Sequence, residues 1–266
     1  MLAEMTEQRR SPFALQPGTV PPVLVERQSF INDFAYALDS GHGAMGRSTL
    51  VTGESGMGKS TMLTVFEEVA TSRSWATVHL PGGAGLVERL AEAQIPRLLD
   101  DEGHGVLITV DDIDRAPLPD LEQVAGTVAD AFAEGIPLAL AFTGPADATN
   151  ALFAADAIPY LARSARVDLE RLSDDGMRLF VSTALADSGK SITEGAVRRL
   201  LEAADGNPRR LLAIADLAWK HSGDRAEISE EDVRAALPEG SPQSSGSSET
   251  GFSMQSATKV RNSLGS

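Results

Sequence analysis

Residues Gly53, Glu54, Ser55, Gly56, Met57, Gly58, Lys59 and Ser60, with Thr61 behind them, spell a G-x-x-x-x-G-K-S segment. Lysine and serine at its last two positions are what a phosphate-binding loop requires. Backbone N–H groups of such a loop wrap a β-phosphate, and its glycines allow main-chain angles that a Cβ would forbid. Lys59 would neutralise the β- and γ-phosphates, and the Ser60 hydroxyl would complete the shell of a Mg²⁺ ion. A plain glycine-rich turn gives no reason for a lysine and a serine at these two places. The chemistry also needs a strand to aim the loop and a helix amino terminus to receive the anion. Both flanks comply. The run Ser48 to Thr52 is apolar and short, while Met62, Val65, Phe66, Val69 and Ala70 recur at helical spacing.

A phosphate loop that hydrolyses its nucleotide needs acids on a neighbouring strand. The run Val106 to Val110 ends in Asp111-Asp112, about fifty residues downstream of the loop. Asp111 would support Mg²⁺, and Asp112 would polarise the attacking water. Asp114 is expected to be a cap or a salt-bridge partner. A further run, Leu138 to Phe142, ends in Thr143-Gly144. If that strand lies between those carrying the loop and the acids, Thr143 holds the water or senses the γ-phosphate.

These side chains must be positioned by elements, and the elements are legible. Phe30, Ile31, Phe34 and Leu38 mark a first helix, stopped by Gly41-His42-Gly43. A strand is predicted at Ala76 to Leu80, a helix over roughly Leu86 to Leu99, another on Leu121, Val124, Val128 and Phe132, and a last strand at Val167 to Leu169. Short strands alternating with helices argue for a parallel sheet covered on both faces. From Leu172 the period becomes helical. Ser173, Thr193, Asn207 and Ser229 each stand where a helix cap belongs, and the last helix ends at Leu237-Pro238. The organisation predicted is a flexible lead-in over 1–21, a core over 22–171, a small helical domain over 172–237 and a disordered tail over 238–266.

Composition narrows the classes. The 266 residues hold no cysteine, which excludes a disulfide framework, a thiolate zinc site and thiol catalysis. The four histidines are scattered, so a histidine metal cluster is not expected. No stretch of eighteen apolar residues and no signal-peptide core appear, so a soluble cytoplasmic protein without membrane contact is expected. The net charge of −15 opposes non-specific attachment to DNA or anionic lipid.

With the loop, the acidic pair, the polar strand end and the helical second domain in this order, the chain resembles the AAA+ P-loop ATPases. It is most similar to the branch near the origin-recognition and STAND-type NTPases, over approximately residues 22 to 237. The resemblance implies an α/β fold: a five-stranded parallel sheet of order 5-1-4-3-2 flanked by helices, followed by an all-helical lid that closes over ATP. Gly206-Asn207-Pro208-Arg209-Arg210 is similar to the family's sensor-2 segment, which implies that Arg209, with Arg210 in reserve, reaches the γ-phosphate. The stretch from Pro159 to Arg166 resembles the one that carries an arginine finger acting on a neighbouring subunit. Arg166 fits that role best and Arg163 second. The segment Pro21 to Arg27 looks like the one packed on the adenine, which implies that Val25 and Arg27 line that pocket.

Three departures bear on function. Asp112 stands where most of the family carries glutamate, Thr143 replaces the usual asparagine, and no winged-helix or helix-turn-helix pattern follows the lid. An ATPase whose lid and subunit contacts work on a partner protein or an assembly is therefore one reading. A nucleotide-locked switch with negligible hydrolysis is the other. A DNA-handling role as initiator or transposition helper has the charge against it. A small-molecule kinase is disfavoured by the lid pattern.

Overall fold

Five short apolar runs become the strands of one parallel sheet: β1 (Ser48–Gly53), β2 (Ala76–Pro81), β3 (Val106–Asp111), β4 (Leu138–Thr143) and β5 (Ala165–Leu169). Between and before them lie the helices α1 (Gln28–Asp39), α2 (Lys59–Thr71), α3 (Leu86–Glu92), α4 (Ile95–Glu102), α5 (Leu118–Ala133) and α6 (Ala146–Ala154). The computed structural model describes residues 10–14, 20–21, 23–41, 44, 46–102, 104–154 and 161–237. The strand order is β2-β3-β4-β1-β5, which is the predicted 5-1-4-3-2 seen from the other edge.

Side-chain alternation explains why both faces are covered. Val106, Ile108 and Val110 of β3, with Leu138, Leu140 and Phe142 of β4, turn to one face and pack with α3 and α5. Leu107, Ala139 and Ala141 turn to the other, against Met62, Leu63 and Phe66 of α2 and Phe34 of α1. The Phe34 and Phe66 rings stack with centroids 4.1 Å apart. Two alanines on that face of β4 leave room for α2, whose first residue is Lys59. Core packing thus fixes where the lysine starts.

The remaining elements are α7 (Asp174–Leu185), β6 (Ser191–Ile192), α8 (Glu194–Ala204), α9 (Pro208–Ser222), β7 (Glu227–Ile228) and α10 (Glu230–Ala236). Each of the four helices has the predicted cap: Ser173, Thr193, Asn207 and Ser229 accept from the backbone N–H groups of Gly176, Ala196, Arg210 and Asp232. Their apolar faces meet in a core of their own, with Met177, Phe180, Leu200, Leu211, Trp219 and Val233.

The structure departs from the sequence reading in three places. The helix expected over 86–99 is two helices, broken at Gln94, whose φ of +49° no helix accommodates. The lid is not purely helical, because β6 and β7 pair in parallel through Ser191–Glu227 and Ile192–Ile228. Phe13, inside the stretch read as a flexible lead-in, is 1% exposed and belongs to the lid core with Val25. Burying an aromatic ring offsets part of the entropy lost in ordering the residues around it. The rest of the lead-in over 1–9 and 15–19, Pro22, His42 and Gly43, the Pro159-Tyr160 segment and the tail from 238 lie outside the described residues.

Asp232 gives the lid a pH-dependent lock. It is buried, and its carboxylate accepts from the Ser229 N–H at 2.8 Å, from the Ser229 hydroxyl at 2.7 Å and from the Arg225 guanidinium. Burial alone would raise its pKa, but the Ser229 donors and Arg225 outweigh it and hold the group below the ordinary aspartate value. A depressed folded-state pKa contributes stability that is complete above the unfolded pKa and disappears as pH falls through the folded one. Asp232→Ala should therefore cost about 1–3 kcal/mol near neutral pH. Urea titrations of both proteins should converge in acid, below the depressed pKa.

Candidate phosphate-binding site

The loop from Gly53 to Gly58 leaves β1 at the carboxyl edge of the sheet and enters α2. Gly58 is the residue before α2, has φ +93°, and offers no side chain to cap it. All four lid helices carry a capping Ser, Thr or Asn. α2 instead begins with backbone N–H groups that only an external acceptor or water can satisfy. Lys59, half-buried at the first position of α2, curls back so that its Nζ donates to the carbonyls of Gly53 (2.9 Å) and Glu54 (3.2 Å). Ser60 is exposed beside it and Thr61 half-buried, while Met57 is buried beneath the loop in the core with Met62.

The sheet places the acids. Val51 of β1 pairs with Thr143 of β4, and Val110 of β3 pairs with Phe142, so the strand ends bearing the loop, Thr143 and Asp111 lie side by side. Thr143 is fully buried. Its hydroxyl donates to Asp111 Oδ1 and accepts from the Asp112 N–H at 2.9 Å. One hydroxyl thereby fixes both acidic residues. Asp112 takes φ +53°, left-handed backbone that aspartate tolerates better than most side chains. Its carboxylate is 3.2 Å from Arg115 Nη2, so the acid that pairs with Arg115 is Asp112 and not Asp114.

Arg209 stands in the first turn of α9. Its N–H donates to the Gly56 carbonyl at 3.3 Å, and its Cβ would meet a Cβ on Gly56 at 3.0 Å. Arg210 is the residue whose N–H Asn207 caps, and both arginine side chains are exposed. Arg166 is the second residue of β5, paired with Leu50, three positions short of the level of Gly53. It is exposed and its Nη1 donates to Asn150 at 2.9 Å. Arg163 is exposed in the short 3₁₀ turn before β5. The structure therefore brings Lys59, Thr143, Asp111, Asp112 and Arg209 to one end of the sheet, and keeps Arg166 and Arg163 away from it.

Val25 and Arg27 lie at the junction of core and lid. Val25 packs into the lid core, while the buried Arg27 donates to the carbonyls of Glu170 (2.7 Å) and Glu26 (3.2 Å). Burial lowers the Arg27 pKa against the opposing pull of Glu26 and Glu170.

Sequence reasoning missed the polar joint here. Glu54 pairs with Arg171 at 2.7 Å, and Arg171 also bonds the Asp205 carboxylate and, at 2.8 Å, the Asp205 carbonyl. Glu26 accepts from the Ser173 hydroxyl and from its N–H at 3.2 Å. Asn207 Nδ2 donates to the Ser55 carbonyl at 3.0 Å. Glu54 occupies a variable position of the loop motif, so the motif itself gave no signal for its role.

The donor set suits a magnesium ion that arrives with a nucleotide. Ser60 and Asp111 would supply one hydroxyl and one carboxylate, hard oxygen donors of the kind Mg²⁺ takes beside phosphates and water. Among the described residues, no group of three or more His, Cys, Asp or Glu could hold a metal without such help. Among them too, no helix is long and apolar enough to cross a membrane.

No family model and no curated protein matches the chain. Solved structures do. Cdc6p from Pyrobaculum aerophilum superposes with a TM-score of 0.67 at 16% identity, over 85% of this chain and 69% of that one. The ORC2 protein of Aeropyrum pernix, in its ADPNP–ADP complexes, gives 0.65 at 16%, over 85% and 70%. The Holliday junction branch migration motor RuvB of Thermotoga maritima gives 0.61 at 16%, over 80% and 68%. At these identities the likeness is one of architecture, and it agrees with the strand order, the loop and the helical region that follows: the chain has the fold of the AAA+ P-loop ATPases.

Proposed function

We propose that this chain binds Mg-ATP and hydrolyses it, and that its lid or subunit contacts change with nucleotide state to act on a partner. The observation that carries the reading is Thr143, which ties the Asp111 carboxylate and the Asp112 N–H beside the strand that ends in the loop. In this reading the triphosphate oxygens replace the Gly53 and Glu54 carbonyls as acceptors for Lys59. Ser60 and Asp111 would hold the metal, which when bound would neutralise charge on the phosphate oxygens. Asp112 polarises the attacking water, and Thr143 keeps its backbone in the left-handed turn. Arg209, already against the loop, would meet the γ-phosphate, and Val25 and Arg27 would flank the base. The fold and the nucleotides bound to ORC2 of Aeropyrum pernix support this reading.

Arg166 would act in trans. It stands on β5, at the sheet edge, exposed and remote from its own loop, which suits a finger that completes a second copy's site. A second reading, the nucleotide-locked switch, is favoured by one observation: the shorter Asp112 carboxylate is already paired with Arg115.

Phosphate release measured across protein concentrations separates the two. Hydrolysis with a finger in trans should rise more steeply than linearly, and Arg166→Ala should remove that excess with a loss of roughly a thousandfold or more. Bound nucleotide without turnover at any concentration would establish the switch. Lys59→Ala should abolish nucleotide binding. Asp112→Asn should keep binding and lower turnover by about a hundredfold.

Thr143 gives a test that does not depend on turnover. Thr143→Val is close in shape but leaves the Asp112 N–H and the Asp111 carboxylate without their buried partner, at a cost of about 1–3 kcal/mol. Urea denaturation should show that loss, and Thr143→Ser should recover most of it.

A further inference from the structure

The four successive carbonyls of the loop each have a donor, and they divide by direction. Gly53 and Glu54 accept from Lys59 Nζ within the loop. Ser55 and Gly56 accept from the lid, through Asn207 Nδ2 at 3.0 Å and the Arg209 N–H at 3.3 Å. Across a trans peptide the C=O and the following N–H point opposite ways. Carbonyls turned toward the lid therefore turn the N–H groups of Gly56 and Met57 away from it, to the loop's own side. The Met57 N–H shows this directly, reaching back to the Glu54 carbonyl at 3.3 Å.

The contact is close enough to be selective. A Cβ on Gly56, which has φ +87°, would fall 2.6 Å from Asn207 Oδ1. Gly56 is thus small because the lid lies on it. Gly206, just before Asn207, is held as tightly: its carbonyl accepts from the Leu172 N–H at 2.9 Å, and its missing Cβ would lie 2.7 Å from Arg171 Cβ. Asn207 is buried and uses both ends of its amide, Oδ1 to cap α9 and Nδ2 to hold the loop.

We propose that Asn207 is a positioning residue for the phosphate loop, so that docking of the lid on the Ser55 and Gly56 carbonyls and binding of phosphate at the opposing amides are one coupled equilibrium. The proposal rests on the nucleotide-binding reading above and adds its regulation. It acts through the loop that wraps the β-phosphate, so it governs ADP and ATP alike. A residue that touches the γ-phosphate would favour ATP alone. Linkage requires the converse as well: any nucleotide that prefers the docked loop must hold the lid down.

The test compares the full-length wild type with Asn207→Ser and Asn207→Asp. Both replacements can still cap α9; aspartate has no donor for the Ser55 carbonyl, and the serine hydroxyl ends one bond short of the Nδ2 that reaches it. Calorimetric titration should show ADP and ATP affinity falling together by about tenfold in Asn207→Ser, with the melting temperature of the nucleotide-free protein nearly unchanged. Hydrogen exchange should show the Arg209 amide protected by ADP in the wild type and not in the variant. Asn207→Asp should weaken both nucleotides further, whereas a residue that only caps a helix would tolerate aspartate. Unchanged ADP affinity in Asn207→Ser, or loss confined to ATP, overturns the coupling and leaves nucleotide binding standing. A wild type that binds neither nucleotide overturns both.

Discussion

A loop that offers its N–H groups to an anion must dispose of the carbonyls on the other side of the same peptides. This is a main-chain constraint, independent of the side chains the motif specifies. Here the disposal is shared between Lys59, which occupies two carbonyls from within, and α9, which occupies the next two from outside. Much of the architecture serves that arrangement. α9 must start at Asn207, α2 must start uncapped at Lys59, and Gly56 and Gly206 must lack side chains where backbone meets backbone. The Glu54–Arg171–Asp205 group adds charge to the same seam, with every member substantially exposed, so its share of the energy is small beside that of the buried amide.

The parallel sheet solves the complementary problem of bringing the acids beside the loop. All five strands run the same way, so all their carboxyl ends lie along one edge, and residues far apart in sequence become neighbours by register alone. Thr143 illustrates how little is then needed. Placed between the strand ends of the loop and the acids, a single buried hydroxyl orients a carboxylate on one side and a peptide N–H on the other. A threonine there is shorter than the asparagine the family usually carries, and it bonds the acids themselves. Under the proposed function, any influence it had on a water or a phosphate would pass through Asp111 and Asp112.

How much of this could be seen in the sequence follows from the range of the forces involved. The central strands β3 and β4 were visible because burial on both faces demands unbroken apolar runs, the edge strands β2 and β5 because their apolar residues alternate, and the lid helices because Ser173, Thr193, Asn207 and Ser229 announce caps locally. The break between α3 and α4 was not, since glutamine is no conventional breaker and only packing holds Gln94 at φ +49°. The acids, the loop lysine and the serine were legible as a motif with fixed chemistry. The seam was not. Glu54 and Arg171 are separated by 117 residues, and Asn207 had already been accounted for as a cap, which concealed its second bond. The Asp112–Arg115 pair was within reach, because its i,i+3 spacing can be read directly.

What makes the seam suited to switching is the independence of the two bodies it joins. The lid has its own apolar core, separate from the two that sandwich the sheet, so undocking need not open either. The hydrogen bonds across the joint are few, and each contributes on the order of 1 kcal/mol net. A sum of that size lies in the range a bound ligand can outweigh, whereas prising apart a shared hydrophobic core would cost many times more. Phe13 and Val25 work in the same direction. By anchoring the amino-terminal segment in the lid core while Arg27 grips the Glu170 carbonyl, they give the chain a second crossing beside Arg171–Leu172. The helix that starts on the Ser55 and Gly56 carbonyls, α9, also carries Leu217 to solvent, so the seam and the exposed apolar face of the lid share one rigid element.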